Sequence, residues 1–333
     1  MNIRLFFCDL KDERQGMKVQ HNLLEIIAMT IISVAADCDG WDEIEDFCIQ
    51  YEEWLRRVVG LSMPNGVPSA DTFERIWQRL DSKEFKRSFR RWAESIRVKI
   101  KGEVISIDGK TSRGSEDDGK KAIHMVSAWL SEQKMVLGQI AVPEKTNEIT
   151  AVPQLLDLID VKGAIVTADA MSCQKSIVEK IIDCKADYTI GLKLNQSALF
   201  NDVKDYFEEF EQEAATTKTS EKGHGRIETR EYFLMTDIKW LDQRNDWRGL
   251  KSVGMVKSKV IENDETRIYT RYFISSLTEI LEFAHSVRKH WSIENQLHWC
   301  LDVIFSEDAS RARKDNSPLN MNILRKTALS LLN

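Results

Sequence analysis

The sequence predicts an α/β chain of the α+β kind: a mixed sheet flanked by helices, entered through a helical N-terminal region. Three observations carry this. Apolar residues in the first hundred positions recur at helical spacing. From Gly102 onward, three successive strand-like runs give way to alternating helix and strand. Between about 214 and 278 the pattern becomes strand-rich, and helices then resume.

Taken in order, Leu23, Leu24, Ile27, Ile31 and Val34 mark one helix face, and Trp41, Ile44, Phe47, Tyr51, Trp54, Leu55 and Val58 a second. Pro64-Asn65-Gly66 and Pro68-Ser69 break the chain, and residues 69–72 offer N-caps for a helix holding Phe73, Ile76, Trp77 and Leu80. A basic helix over 82–98 keeps Phe85, Phe89 and Trp92 on its apolar side. Strands are expected at 103–107, 123–130 and 134–142, then a helix at 147–160, a strand at 164–168, a helix at 172–184, a strand at 187–192 and a helix at 195–213. A meander followed by this alternation is the order of an RNase H-like fold. The strand-rich run rests on 226–234, 251–256 and 266–274, with helices from 279. These patterns divide the chain into a helical region, 1–101, and a mixed-sheet domain, 102–333, carrying a β-rich insertion at about 214–278.

Composition closes several doors. With 42% apolar and 30% charged residues among 333, the chain reads as an ordinary soluble protein of about two domains. Its longest apolar stretch, 26–36, falls short of the roughly 18–20 residues that cross a bilayer. It also lies too far behind charged residues to be a signal peptide. Six scattered cysteines without a CxxC pair argue for a reducing, cytoplasmic setting and against disulfides or structural zinc. A formal net charge of −6 speaks against a protein that simply coats nucleic acid. The charge is uneven, however: residues 37–53 hold eight acids and no Lys or Arg, and residues 81–101 hold eight bases against three acids. A local basic face can still meet DNA.

Three carboxylates stand out. Asp108 closes the strand-like run 104–107, Asp169 closes 164–168, and Glu294 lies in the helical stretch 288–299. Acids delivered by two strand ends and a helix suit a pair of hard divalent cations about 3.5–4 Å apart, which serve phosphodiester cleavage and strand transfer. Asp108 would bridge the ions, and Asp169 and Glu294 would complete one each. The plain alternative for either Asp is a strand-to-turn corner, a common position for it. His290, Glu294, His298 and Asp302 recur every four residues on one helix face. That face could be a solvated polar surface. A zinc site there is disfavoured, because two His eight residues apart stand about 12 Å apart along a helix and no HExxH is present. Trp291 and Trp299 are assigned to the core. Gly109-Lys110-Thr111-Ser112 lacks the upstream part of a phosphate-binding loop, and no Gly-x-Ser-x-Gly elbow exists. The turn Gly223-His224-Gly225-Arg226 is either a hairpin entry or a contact to a DNA backbone through Arg226 and His224.

Several motifs together carry a resemblance. They are Ile107-Asp108-Gly109-Lys110-Thr111, His124-Met125-Val126-Ser127-Ala128, Lys145-Thr146-Asn147-Glu148-Ile149, Thr167-Ala168-Asp169-Ala170-Met171, the 223–228 turn, and the run from His290 to Val303. In this order they resemble bacterial insertion-sequence DDE transposases of the H-repeat-associated (Rhs-linked) type. The resemblance spans nearly the whole chain, including Lys18-Val19-Gln20-His21 and Gly40-Trp41-Asp42-Glu43-Ile44.

It implies an RNase H-like catalytic domain with a β insertion and Mg²⁺-dependent chemistry, with Mn²⁺ as a substitute. The partners implied are double-stranded DNA, namely the element's terminal inverted repeats and the target, and a second copy of the chain as a homodimer. Asp108, Asp169 and Glu294 match the family's three acids. The Tyr and Arg before the third acid and the Lys after it in related transposases are Val287, His290 and Leu301 here. Arg288, His290 and His298 are the candidates to replace them at the terminal phosphates. Lys193, in a Lys-x-Asn-Gln stretch, is expected to contact phosphate. Arg87, Arg90 and Arg91 of the basic helix are expected to contact DNA. Family members usually carry a basic tail beyond the helix at 324–329, whereas this sequence stops at Asn333. The alternative expectation is therefore a catalytically inert relic that only binds DNA or regulates.

Overall fold

The computed structural model describes residues 4–14, 16, 19–117, 119, 121–142, 148–223, 225–263 and 265–333. Lys18, Lys145 to Asn147 and His224, named above, lie outside the described residues. The N-terminal region forms α1 (Arg4–Phe7), α2 (Leu23–Ala35), α3 (Trp41–Gln50), α4 (Glu52–Trp54), α5 (Ala70–Arg79) and α6 (Ser82–Ile96). Asn22 caps α2 and Asp81 caps α6, each accepting from the first free backbone N–H groups. The expected second helix is broken: a π-turn, Leu55–Val59, follows α4, and Tyr51, Trp54 and Val58 face solvent. Glu25 is buried in α2 and accepts from Ser62 N at 2.6 Å, Ser62 Oγ at 2.8 Å and Met63 N at 3.2 Å, which ties the loop after that turn to the bundle.

The rest of the chain runs β1 (Val104–Ser112), β2 (Ile123–Leu130), β3 (Met135–Val142), α7 (Glu148–Leu158), β4 (Ile165–Ala168), α8 (Lys175–Asp183), β5 (Asp187–Leu192) and α9 (Ser197–Phe210). Four antiparallel strands follow: β6 (Ala215–Gly223), β7 (Arg226–Met235), β8 (Ser252–Glu262) and β9 (Glu265–Ser275). The helices α10 (Ile280–Ser292) and α11 (Ser317–Leu332) close the chain. The nine strands among the described residues form one mixed sheet in the order β3-β2-β1-β4-β5-β9-β8-β7-β6. β4 is parallel to both β1 and β5, and the other pairs are antiparallel. The first five strands have the RNase H-like order. The β-rich segment does not stand apart as a separate sheet. Its last strand pairs with β5, Thr189 opposite Ser275, so the two hairpins lengthen the same sheet.

One apolar core runs from Phe7 through Trp77 and Trp92, across Val126 and Ile190, to Leu324 and Leu329. Residues 1–101 and 102–333 therefore share their interior. α11 lies between them. Its Asn320 amide donates to the carbonyls of Trp77 and Leu80 at 2.9 Å each, and its buried Lys326 donates to Ser127 Oγ at 2.9 Å and Gln139 Oε1 at 2.7 Å.

Candidate active site

Asp108 does not end its strand, contrary to the sequence-based expectation. β4 stops at Ala168, opposite Ile107, while β1 continues to Ser112 paired with β2 alone. Asp108 is thus the first residue of β1 beyond its parallel neighbour, at the carboxyl edge of the sheet. This is where open α/β sheets place their chemistry.

α10 crosses that sheet on a seam of hydroxyl groups. Ser286 Oγ donates to Thr189 Oγ1 at 2.9 Å, Thr167 Oγ1 donates to Ser106 Oγ at 3.1 Å, and Ser292 Oγ donates to Ser131 Oγ at 2.9 Å. Trp129 Nε1 donates to Ser292 Oγ at 3.1 Å. These short side chains let the helix lie close to β1, β2, β4 and β5 while their polar atoms stay paired. Beyond Ser292 the helix widens into π-helical turns over Ile293–His298 and Cys300–Ile304, a form frequent at functional sites. Glu294 is carried on the first of these.

Ligand atoms of Asp108, Glu294 and His298 lie within 4.8 Å of one another, which is the metal-competent group found among the described residues. His298 Nδ1 is 3.3 Å from Glu294 Oε2 and 3.5 Å from Asp108 Oδ2. Burial, and then the Glu294 charge beside it, push the Asp108 carboxyl up to about 8. The hydrogen bond with His298 pulls Glu294 down to about 2. Two acids and a ring nitrogen converge with negative charge left unbalanced, so the donor set suits a divalent cation. His298 Nε2 is buried without a protein partner.

Asp169 follows β4 and adds its charge to the load on Asp108, but it stays outside that triangle. Its Oδ1 accepts from Met171 N at 3.0 Å and Ser172 N at 3.2 Å, capping a short 3₁₀ turn. The turn is held from the short 3₁₀ turn after β5: the Asn195 amide donates to Ala170 O at 2.7 Å, and the Gln196 amide to Cys173 O at 2.9 Å. The Lys-x-Asn-Gln stretch thus supports the second acid, and Lys193 is exposed at the end of β5. On the opposite face of β1, His124 Nε2 meets Glu148 Oε1 at 2.6 Å, and His124 Nδ1 meets Thr111 Oγ1 at 2.8 Å. Sequence reasoning gave this buried pair no structural role.

The expected phosphate contacts are spread out. His290 Nδ1 is 3.0 Å from Thr167 Oγ1, and burial lowers the imidazole to about 4, so His290 works as a neutral strut under the site. Arg288 is bidentate to Glu221 of β6, at 2.9 and 2.8 Å. Arg226 is exposed at the base of the β6–β7 turn, 4.0 Å from Glu228. On α6, Arg87 pairs with Glu84 at 3.2 Å and Arg91 with Asp9 at 2.7 Å, while half-buried Arg90 has its guanidinium lowered by burial and by Arg87. A cleft of about 540 Å³ in the N-terminal region is of mixed charge, lined by Lys11, Asp12, Glu13, Arg14, Arg75 and Arg79. Trp291 and Trp299 are 37% and 53% exposed, which overturns their assignment to the core. Arg271 lies over the Trp291 ring, 4.9 Å from its centroid.

Comparison with known proteins identifies the family. Residues 5–93 match the model described as DDE_Tnp_1-associated, and residues 99–331 match the Transposase DDE domain. The chain is 41% identical over 333 residues to "Putative transposase YncI" of Escherichia coli O157:H7, covering 97% of this chain and 85% of that one. It is 36% identical over 335 residues to "H repeat-associated putative transposase YhhI" of Escherichia coli strain K12, covering 97% and 88%. With both of its regions matched and relatives of this kind along nearly its full length, the chain belongs to the DDE transposase family.

Proposed function

We propose that the protein cuts DNA at the ends of its own insertion element and joins the freed ends to a target, using Mg²⁺ or Mn²⁺. The observation that carries this is the meeting of Asp108 and Glu294, 186 positions apart in sequence, with His298 between them. A divalent cation bound there would polarise a phosphate oxygen and ease deprotonation of the attacking water. In the first step, water attacks the phosphodiester phosphorus and the 3′-oxygen leaves, taking a proton to become a 3′-hydroxyl. In the second, that hydroxyl attacks a target phosphodiester, and one P–O bond forms as another breaks. Asp108 and Glu294 hold the charge that must be neutralised, Asp169 completes the acidic edge, and His298 orients both carboxylates.

Lys193 and Arg226, both exposed, would take DNA phosphates near the site. The α6 pairs do not prevent Arg87 and Arg91 from doing the same, because an exposed ion pair contributes only about 0–1 kcal/mol and phosphate can replace its carboxylate. The partner is double-stranded DNA, with two chains needed to hold two ends. No described helix is long and apolar enough to cross a membrane, and we place the activity in the cytoplasm.

The test uses supercoiled DNA carrying the sequences that flank the gene. The protein with Mg²⁺ or Mn²⁺ should leave nicks ending in 3′-hydroxyl groups at those flanks, and Asp108→Ala should bind the same DNA without cutting it. Cutting by Asp108→Ala would overturn the assignment. Binding without cutting by the parent chain would mark it as an inert DNA-binding relic.

A further inference from the structure

From its place on β1, we infer that Lys110 is a positioning residue: it clamps the π-helical segment carrying Glu294 and His298 onto the strand that carries Asp108. This rests on the function proposed above. Lys110 follows Asp108 by two residues in β1, so both side chains leave the same face of the sheet. Its Nζ lies 2.7 Å from Asp302 Oδ1, 2.8 Å from Glu307 Oε2 and 3.6 Å from Asp308 Oδ1. Asp302 sits in the second π-helical turn, eight residues after Glu294, and Glu307 and Asp308 lie in the turn that ends the segment. One ammonium group therefore binds the far end of the acid-bearing helix to the strand whose Asp108 faces the near end.

Two further contacts make this a built clamp and set it apart from a surface pair. The Lys110 and Glu307 side chains are 10% and 1% exposed. The second oxygen of Glu307 accepts from Asn322 Nδ2 of α11 at 2.6 Å, so the anchor is itself held. The chain leaving β1 then wraps the same turn. Arg113 N donates to Asp308 Oδ1 at 2.9 Å, and a Cβ on Gly114 would come within 2.5 Å of the Glu307 carbonyl oxygen. The π-helical segment ends at Ile304, and two residues later Ser306, a non-glycine residue, takes the left-handed region at φ +46° to start the turn at Glu307. A widened helix with such an ending needs an outside grip to keep its register. Lys110 supplies it, and the Asp108–Glu294–His298 spacing depends on it.

The experiment is a Mn²⁺ titration of the purified full chain, reading unbound Mn²⁺ by its paramagnetic signal, with melting temperature and DNA binding measured alongside. Lys110→Met should weaken Mn²⁺ binding about tenfold or more, the usual effect of removing a support behind metal ligands, with DNA binding unchanged. Lys110→Arg, which keeps the charge, should recover most of the affinity. Asp302→Asn changes a partly exposed partner and should weaken binding in the same direction, so it decides the matter if Lys110→Met fails to fold. If Lys110→Met and Asp302→Asn melt lower but bind Mn²⁺ like the parent, Lys110 is only a structural cation and the inference falls alone. If the parent itself binds no Mn²⁺, the proposed function and this inference fall together.

Discussion

Gly109 of β1 leaves no space for a methyl group beside Glu148: a Cβ built on it would stand 2.5 Å from Glu148 Oε1, with the His124 ring also in the way. The buried His124–Glu148 pair therefore packs directly on the backbone next to Asp108. Neither partner is the free end of a mobile chain, since His124 is also bonded to Thr111. Gly109→Ala should destabilise the fold by about 1–3 kcal/mol, the usual cost of overpacking an interior. Urea denaturation checks this, and an unchanged midpoint would show that the pair can retreat.

Asp108 carries a cost in the metal-free protein. Its carboxyl is pushed up to about 8 by burial and by Glu294, so near neutral pH it folds against an electrostatic penalty. Asp108→Asn keeps the shape of the protonated carboxyl and removes the cost of protonating it on folding. The variant should melt higher than the parent in chelator and lose the parent's rise in melting temperature on adding Mn²⁺. A parent that gains nothing from Mn²⁺, or a variant that gains as much, would contradict the site.

Lys326 gives a pH signature of the opposite kind. Burial lowers its ammonium to about 7, against an ordinary value of 10.5. Between those values the unfolded chain binds more protons than the folded one, so stability rises with pH across that window. Below about 7 the full penalty of the buried charge applies. Lys326→Met should remove this contribution. The stability difference, variant minus parent, should therefore shrink between pH 7 and pH 10 when measured by urea midpoints in each protein. A constant difference would rule the explanation out.

Much of the architecture was legible because its signals are local. The β1-β2-β3 meander and the β4-α8-β5 alternation follow from apolar periods that match the observed bounds within a few residues, except at the carboxyl end of β1, which runs on to Ser112. Polar strands were harder. β6, Ala-Thr-Thr-Lys-Thr-Ser-Glu-Lys-Gly, is exposed almost throughout and is held as a strand by its ladder with β7. The second half of β1 is polar for a similar reason, which is why Asp108 looked like a strand end. Pairing at long range was also hidden. Nothing near Arg91 or Arg288 in the chain announces Asp9, 82 residues away, or Glu221, 67 residues away. At the site, Asp108 and Glu294 were identified from chain pattern and motif, and the structure brings them together. His298 was expected at DNA phosphates, yet it lies between the two acids, because a four-residue spacing says which face a side chain takes but not what waits opposite.

The position of α11 bears on how the molecule assembles. This final helix fills the space shared by the N-terminal bundle and the sheet, so a growing chain on the ribosome holds both layers without the piece that joins them. Residues such as Ile27 and Trp92 must wait for Leu324 and Leu329, some three hundred and some two hundred and thirty positions later, before their interior is sealed. Contacts that distant are slow to form and leave apolar surface open meanwhile. Biogenesis should accordingly be the stage at which this protein most depends on chaperones.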